Sequence, residues 1–148
     1  MEIAIDNRQE GRAIDLPTLT ARIQRVLEDS GCSPDTELSL VITDDPDIHQ
    51  LNLQYLGRDR PTNVISFPQA EGEFADLTPG LLGDVVVSVD TAWREALEND
   101  LDPQEHFLRL IIHGILHLLG HDHLADEEQA RAMEDLTERL LASALTLA

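Results

Sequence analysis

Apolar and polar residues alternate at the start of the chain. Ile3 and Ile5 sit between polar neighbours, and this period of two predicts a strand over residues 2–6. The period then lengthens: Leu16, Leu19, Ile23, Val26 and Leu27 form one helical stripe, predicting a helix over 16–30 that Gly31 stops. Leu38, Leu40 and Ile42 return to alternation, as a second strand. Asp45 and Pro46 read as the cap and first position of a short helix, with Ile48, Leu51 and Tyr55 on its buried face and Gly57 at its end. Arg58 to Thr62 is a loop, and Asn63 to Phe67 a third strand closed by Pro68. Residues 69–82, with Gly72, Pro79 and Gly80 among acids, read as an exposed loop. Asp84 to Val89 is β-branched and predicts a fourth strand. Asp90 opens a helix through about Glu98, and Asp102-Pro103-Gln104-Glu105 is a capping signal for another. A last amphipathic helix from about Asp126 turns Met133, Leu136, Leu140 and Leu141 inward.

The order β-α-β-α-β-β-α-α-α contains no internal repeat and no long linker. It predicts one α+β domain over residues 1–148, a small mixed four-stranded sheet packed with about five helices. A length of 148 residues with 42% hydrophobic content suits a single core. No apolar run approaches the length of a membrane span, and the first residues do not read as a signal peptide, so no membrane partner is expected. Cys32 is the single cysteine, which rules out an intrachain disulfide and suits a reducing, cytoplasmic setting. The net charge is −19 and all ten basic residues are arginines. This argues against the broad basic face of most nucleic-acid binders, but leaves room for a local arginine-lined cleft around a divalent metal.

The chemistry concentrates in His113-Gly114-Ile115-Leu116-His117-Leu118-Leu119-Gly120-His121-Asp122-His123. Histidines four apart project from one helix face. Gly120 offers a residue able to end the helix and fold the chain back, bringing His123 to the same point. His121 could stand as third ligand instead, but it follows the glycine directly, before the chain has room to return, and reads as lying behind the ligands or facing solvent; the expected ligands are His113, His117 and His123. Three imidazoles make an open zinc site of the catalytic kind, on a metzincin-like zinc helix. The peptidases with this spacing carry a glutamate base after the first histidine; here that position is Gly114. Metal-assisted hydrolysis of something other than a peptide is therefore expected. Asp122 and Asp84 are candidates to orient ligand imidazoles, Asp84 from the beginning of its strand. Arg109 and His106 lie one and two turns before His113, as cleft or packing residues. Trp93 and Phe107 are scattered and read as core.

A second segment is Tyr55-Leu56-Gly57-Arg58-Asp59-Arg60-Pro61-Thr62-Asn63-Val64-Ile65-Ser66-Phe67-Pro68, and a third is Leu82-Gly83-Asp84-Val85. With the histidine motif they resemble the YbeY family of endoribonucleases, or rRNA maturation factors, over nearly the whole chain. The resemblance implies a single-strand-specific endoribonuclease acting in 16S rRNA 3′-end maturation and ribosome quality control. It implies zinc on His113, His117 and His123, and ribosomal particles or ribosome-associated proteins as partners. Some members have arginine directly after the tyrosine of the second segment, where this chain has Leu56; Arg58 and Arg60 are then the catalytic candidates. Arg109, Asn63 and Ser66 are candidate substrate contacts. A zinc peptidase-like hydrolase and a non-catalytic ribosome-assembly factor with a zinc site are the competing readings.

Overall fold

The computed structural model describes residues 1–69, 80–121 and 126–147. Four strands form one sheet: β1 (Glu2–Asn7), β2 (Glu37–Thr43), β3 (Val64–Pro68) and β4 (Leu81–Ser88). Their spatial order is β1-β2-β4-β3. The β1–β2 and β2–β4 pairs are parallel, while β3 runs antiparallel to β4 and forms an edge. Five helices complete the fold: α1 (Leu16–Asp29), α2 (Asp45–Leu56), α3 (Val89–Glu98), α4 (Pro103–Leu118) and α5 (Glu127–Leu145). This is the mixed four-stranded sheet with five helices that the hydrophobic pattern predicts.

Strand alternation sorts the helices between the two faces. Leu38, Leu40, Ile42, Val85 and Val87 enter a large core with residues of α1, α3, α4 and α5. Ile65 and Val86 point the other way and meet Ile48 of α2, with Val41, Leu51 and Phe67 around them. The inner strand β4 is thus apolar on both faces, which accounts for its unbroken Val85-Val86-Val87 run. Among the described residues no helix is long and apolar enough to cross a membrane.

Several boundaries differ from the sequence reading. β4 begins at Leu81, because Leu81 and Gly83 already pair with Glu37 and Leu38 of β2, so Asp84 lies inside the strand. Asp44, not Asp45, caps α2: its carboxylate accepts the Asp47 N–H at 3.1 Å. Asp45 turns aside and accepts from the Ser88 and Thr91 hydroxyls at 2.7 and 2.6 Å and from Arg94. Tyr55 is 59% exposed rather than buried. The greater part of the expected 69–82 loop lies outside the described residues.

Candidate functional site

α4 carries the two histidines four apart. Asp102 starts the helix by accepting the Glu105 N–H at 3.0 Å, and Pro103 fills a position that needs no donor. Apolar residues surround most of α4, and His113 and His117 are half-buried on the remaining face. Their Nε2 atoms lie 3.2 Å apart, with the rings at 77° to one another. Two imidazole nitrogens bound tetrahedrally to one zinc at about 2.0–2.1 Å are separated by about 3.3 Å, so the pair is spaced as two ligands of one such ion. After Leu119 the chain turns at Gly120, whose φ of +97° is the left-handed conformation an L-residue resists, and His121 donates its N–H back to the Leu116 carbonyl. His123 and Asp122 lie outside the described residues. Among those described, no group of three or more His, Cys, Asp or Glu side chains gathers as a metal cluster.

Gly114, between the two histidines, rests against the sheet. A Cβ there would lie 2.8 Å from Val85 Cγ1, 3.1 Å from Val64 Cγ2 and 3.2 Å from Ser66 Oγ. The Ser66 hydroxyl donates to the Gly114 carbonyl at 2.7 Å, tying β3 to the histidine turn. Asn63, just before β3, donates its amide to both Glu95 oxygens at 3.3 and 3.4 Å. His106 Nε2 lies 2.9 Å from Glu95, and its Nδ1 lies 3.2 Å from Arg109. An arginine only donates, so Nδ1 accepts and Nε2 carries the proton offered to Glu95. Arg109 also pairs with Glu138 at 2.6 Å. Asn63, His106 and Arg109 therefore belong to one polar chain joining β3, α3, α4 and α5.

Arg58 and Arg60 are exposed, and among the described residues neither forms an ion pair. Their loop is moored to α2 at three points. His49 Nε2 meets Asp59 at 2.7 Å, the buried Asn52 amide donates to the Arg60 carbonyl at 2.8 Å, and the Arg58 N–H donates to the Asn52 carbonyl at 3.2 Å. Asp84 is half-buried in β4 opposite Phe67. Trp93 packs on Phe107 at 5.5 Å under Arg12, away from the histidine face.

Sequence reasoning passed over Asn52 and Glu95, and read Tyr55 as a buried helix residue. Asn52 had a signal, since an amide occupies a position in line with Ile48 where the helical period calls for an apolar residue. Glu95 had none, because its partners come from three other segments.

A family model described as endoribonuclease YbeY matches residues 4–144. An endoribonuclease YbeY of Syntrophotalea carbinolica is 53% identical over 141 residues, covering 95% of this chain and 93% of that protein. One from Geobacter metallireducens is 48% identical over 143 residues, covering 96% and 95%. The solution structure of TM1509 from Thermotoga maritima aligns with a TM-score of 0.69 at 25% identity, covering 96% of this chain and 88% of that one.

Proposed function

The chain belongs to the YbeY family of endoribonucleases, and from that premise we propose that it cuts single-stranded ribosomal RNA with one zinc ion held by His113, His117 and His123. The biological setting of this proposal is 16S rRNA 3′-end maturation and ribosome quality control in the cytoplasm, on ribosomal particles or with ribosome-associated proteins. The observation that carries the metal part is the 3.2 Å approach of the His113 and His117 Nε2 atoms.

When bound, zinc in a three-histidine set supplies Lewis acidity and positive charge beside the reacting phosphate. The remaining work falls to side chains. Attack on a phosphodiester, by water or by the adjacent 2′-hydroxyl, develops negative charge on the phosphate oxygens. Arg58 and Arg60 are the catalytic candidates to stabilise it, since a guanidinium offers several N–H donors in a fixed fork. Their moored loop lets that charge be held without reorganisation. Asn63, Ser66 and Arg109 border the substrate while tying β3 and α5 to α4. Asp122 remains the candidate to orient a ligand imidazole; Asp84, expected in the same role, pairs with Phe67 and shares the strand face of Val86, on the α2 side and away from Gly114.

Two specific features oppose the rival functions. Gly114 removes the base a zinc peptidase needs. An open three-histidine set differs from the four protein ligands of structural zinc. The deciding experiment incubates metal-loaded protein with single-stranded RNA and with casein, with His113→Ala as control. RNA cleavage that the substitution abolishes, with casein intact, is the expected result. Casein cleavage, or RNA cleavage that survives in His113→Ala, overturns the reading. Elemental analysis should give one metal per wild-type chain and less than a tenth of that in the His113→Ala, His117→Ala and His123→Ala variants. A His123→Ala chain that keeps its metal while His121→Ala loses it would reassign the third ligand.

A further inference from the structure

Tyr55 lies seven residues after Ile48 on α2, about 20° short of two full turns, so both side chains leave the helix in nearly the same direction. Ile48 is fully buried under the sheet, yet Tyr55 is 59% exposed. The last turn of α2, about 10 Å further along the axis, has run past the sheet. There Tyr55 meets Phe67 of the edge strand, edge to face, with ring centroids 5.3 Å apart. Leu56 and Leu53 beside it are also exposed, at 52% and 43%. More than half of the Tyr55 surface is thus open to water beside these two leucines.

Its surroundings point to the occupant. Arg58 and Arg60 follow within five residues, exposed and without an ion-pair partner among the described residues, in a chain of net charge −19. By contrast Arg8, Arg25, Arg94 and Arg109 each sit against a carboxylate. Strand β3 then connects this corner to the histidines. Its Ile65 and Phe67 side chains face α2, while Val64 and Ser66 face Gly114, between His113 and His117. The edge strand β3 thus has the α2 corner on one face and the histidine turn on the other.

We propose that Tyr55, buttressed by Phe67, is a stacking site for an unpaired RNA base next to the phosphate that Arg58 and Arg60 address, with the strand crossing the β3 edge toward His113 and His117. The proposal rests on the endoribonuclease reading and deepens it. A base offers its face to a side chain only when it has left a duplex, so this site selects single strands. Stacking tolerates every base, so the selection carries little sequence preference.

The test separates binding from cleavage. A non-cleavable 2′-O-methyl oligonucleotide containing 2-aminopurine is titrated into wild type, Tyr55→Ala, Tyr55→Phe, Tyr55→Trp and Leu97→Ala, the last an exposed leucine on α3. Wild type should quench the fluorophore, as should the Phe, Trp and Leu97 variants. Tyr55→Ala should lose the quench and bind single strands about tenfold more weakly, while duplex affinity is unchanged. In cleavage assays its KM should rise by a similar factor with kcat little altered. Melting temperatures should agree, since the ring is mostly exposed. Wild-type quenching and affinity in Tyr55→Ala overturn the proposal and leave the apolar corner to a protein partner. Equal loss of single-strand and duplex affinity also overturns it. Normal quenching by a wild-type chain that cuts no RNA sinks the catalytic reading alone.

Discussion

Gly114 occupies the position where zinc peptidases of the H-E-x-x-H kind hold their base, and its surroundings explain the absence of a side chain. The helix lies so close to β3 and β4 that a single added carbon meets Val85 at 2.8 Å. Gly114→Ala should therefore destabilise the fold by about 1–3 kcal/mol, read from urea denaturation. Gly114→Glu should cost more and should produce no casein cleavage; an unchanged denaturation midpoint in the alanine variant would contradict the packing account. The arginine loop supports a second expectation. Arg58→Ala or Arg60→Ala should lower kcat at least tenfold for single-stranded RNA while changing affinity less, because charge on the phosphate is greatest in the transition state. Steady-state kinetics would show the reverse pattern if these residues only gather substrate. His113 and His117 were legible in the sequence because a helix repeats every 3.6 residues and the motif fits that period. The exposure of Tyr55 was not: its spacing places it on the buried stripe, whereas it lies 59% exposed beside Phe67 of the edge strand.

The join between α2 and α3 depends on one carboxylate. Asp45 accepts from Ser88, Thr91 and Arg94 together, and its backbone N–H donates to Asp90 at 2.9 Å. Burial pushes the Asp45 carboxyl up, but the Thr91 and Ser88 hydroxyls and the Arg94 guanidinium outweigh it, so the group titrates below its ordinary value. Protons thus bind the unfolded chain more readily at this residue. Its contribution to stability is complete above the ordinary aspartate value of about 3.9 and fades as pH falls through the lower, folded value. Asp45→Ala should cost about 1–3 kcal/mol at pH 7, since it leaves the buried Ser88 hydroxyl without its acceptor. The gap in melting temperature between variant and wild type should close as pH drops below about 4, and a gap that stays constant to pH 2 would contradict the clamp. The elements themselves were legible because period and caps agree. What misled was local ambiguity, as with adjacent Asp44 and Asp45 before a proline: either can cap, and the choice is made by Ser88 and Thr91, more than forty residues away.

Across the whole molecule, the core and the histidine pair are nearly separate. Ile23, Leu27, Leu40, Ile42, Ile111 and Ile115 are fully buried without help from any polar site. Chelation should accordingly lower the melting temperature by several degrees while leaving one cooperative transition, since an ion bound to a core that folds without it adds stability only as the logarithm of its concentration relative to its dissociation constant. Complete unfolding on chelation, seen by far-ultraviolet circular dichroism, would show that the metal is part of the core. The architecture was readable from the sequence because each strand alternates and each helix repeats in register with its neighbours. The convergence of Asn63, Glu95, His106, Arg109 and Glu138 was not, since no local pattern encodes contacts between four distant elements.

The seating of Gly114 on the sheet also has a meaning for descent. One substitution would supply the glutamate of the peptidase motif, yet any side chain there meets Val85 and Val64 of β4 and β3 before the helix can keep its seat. A lineage could cross only after Val85 or Val64 had first become smaller, and each of those changes opens a cavity in the core. Val85→Ala should accordingly reduce the harm done by Gly114→Ala, with the double variant more stable than the sum of the two singles.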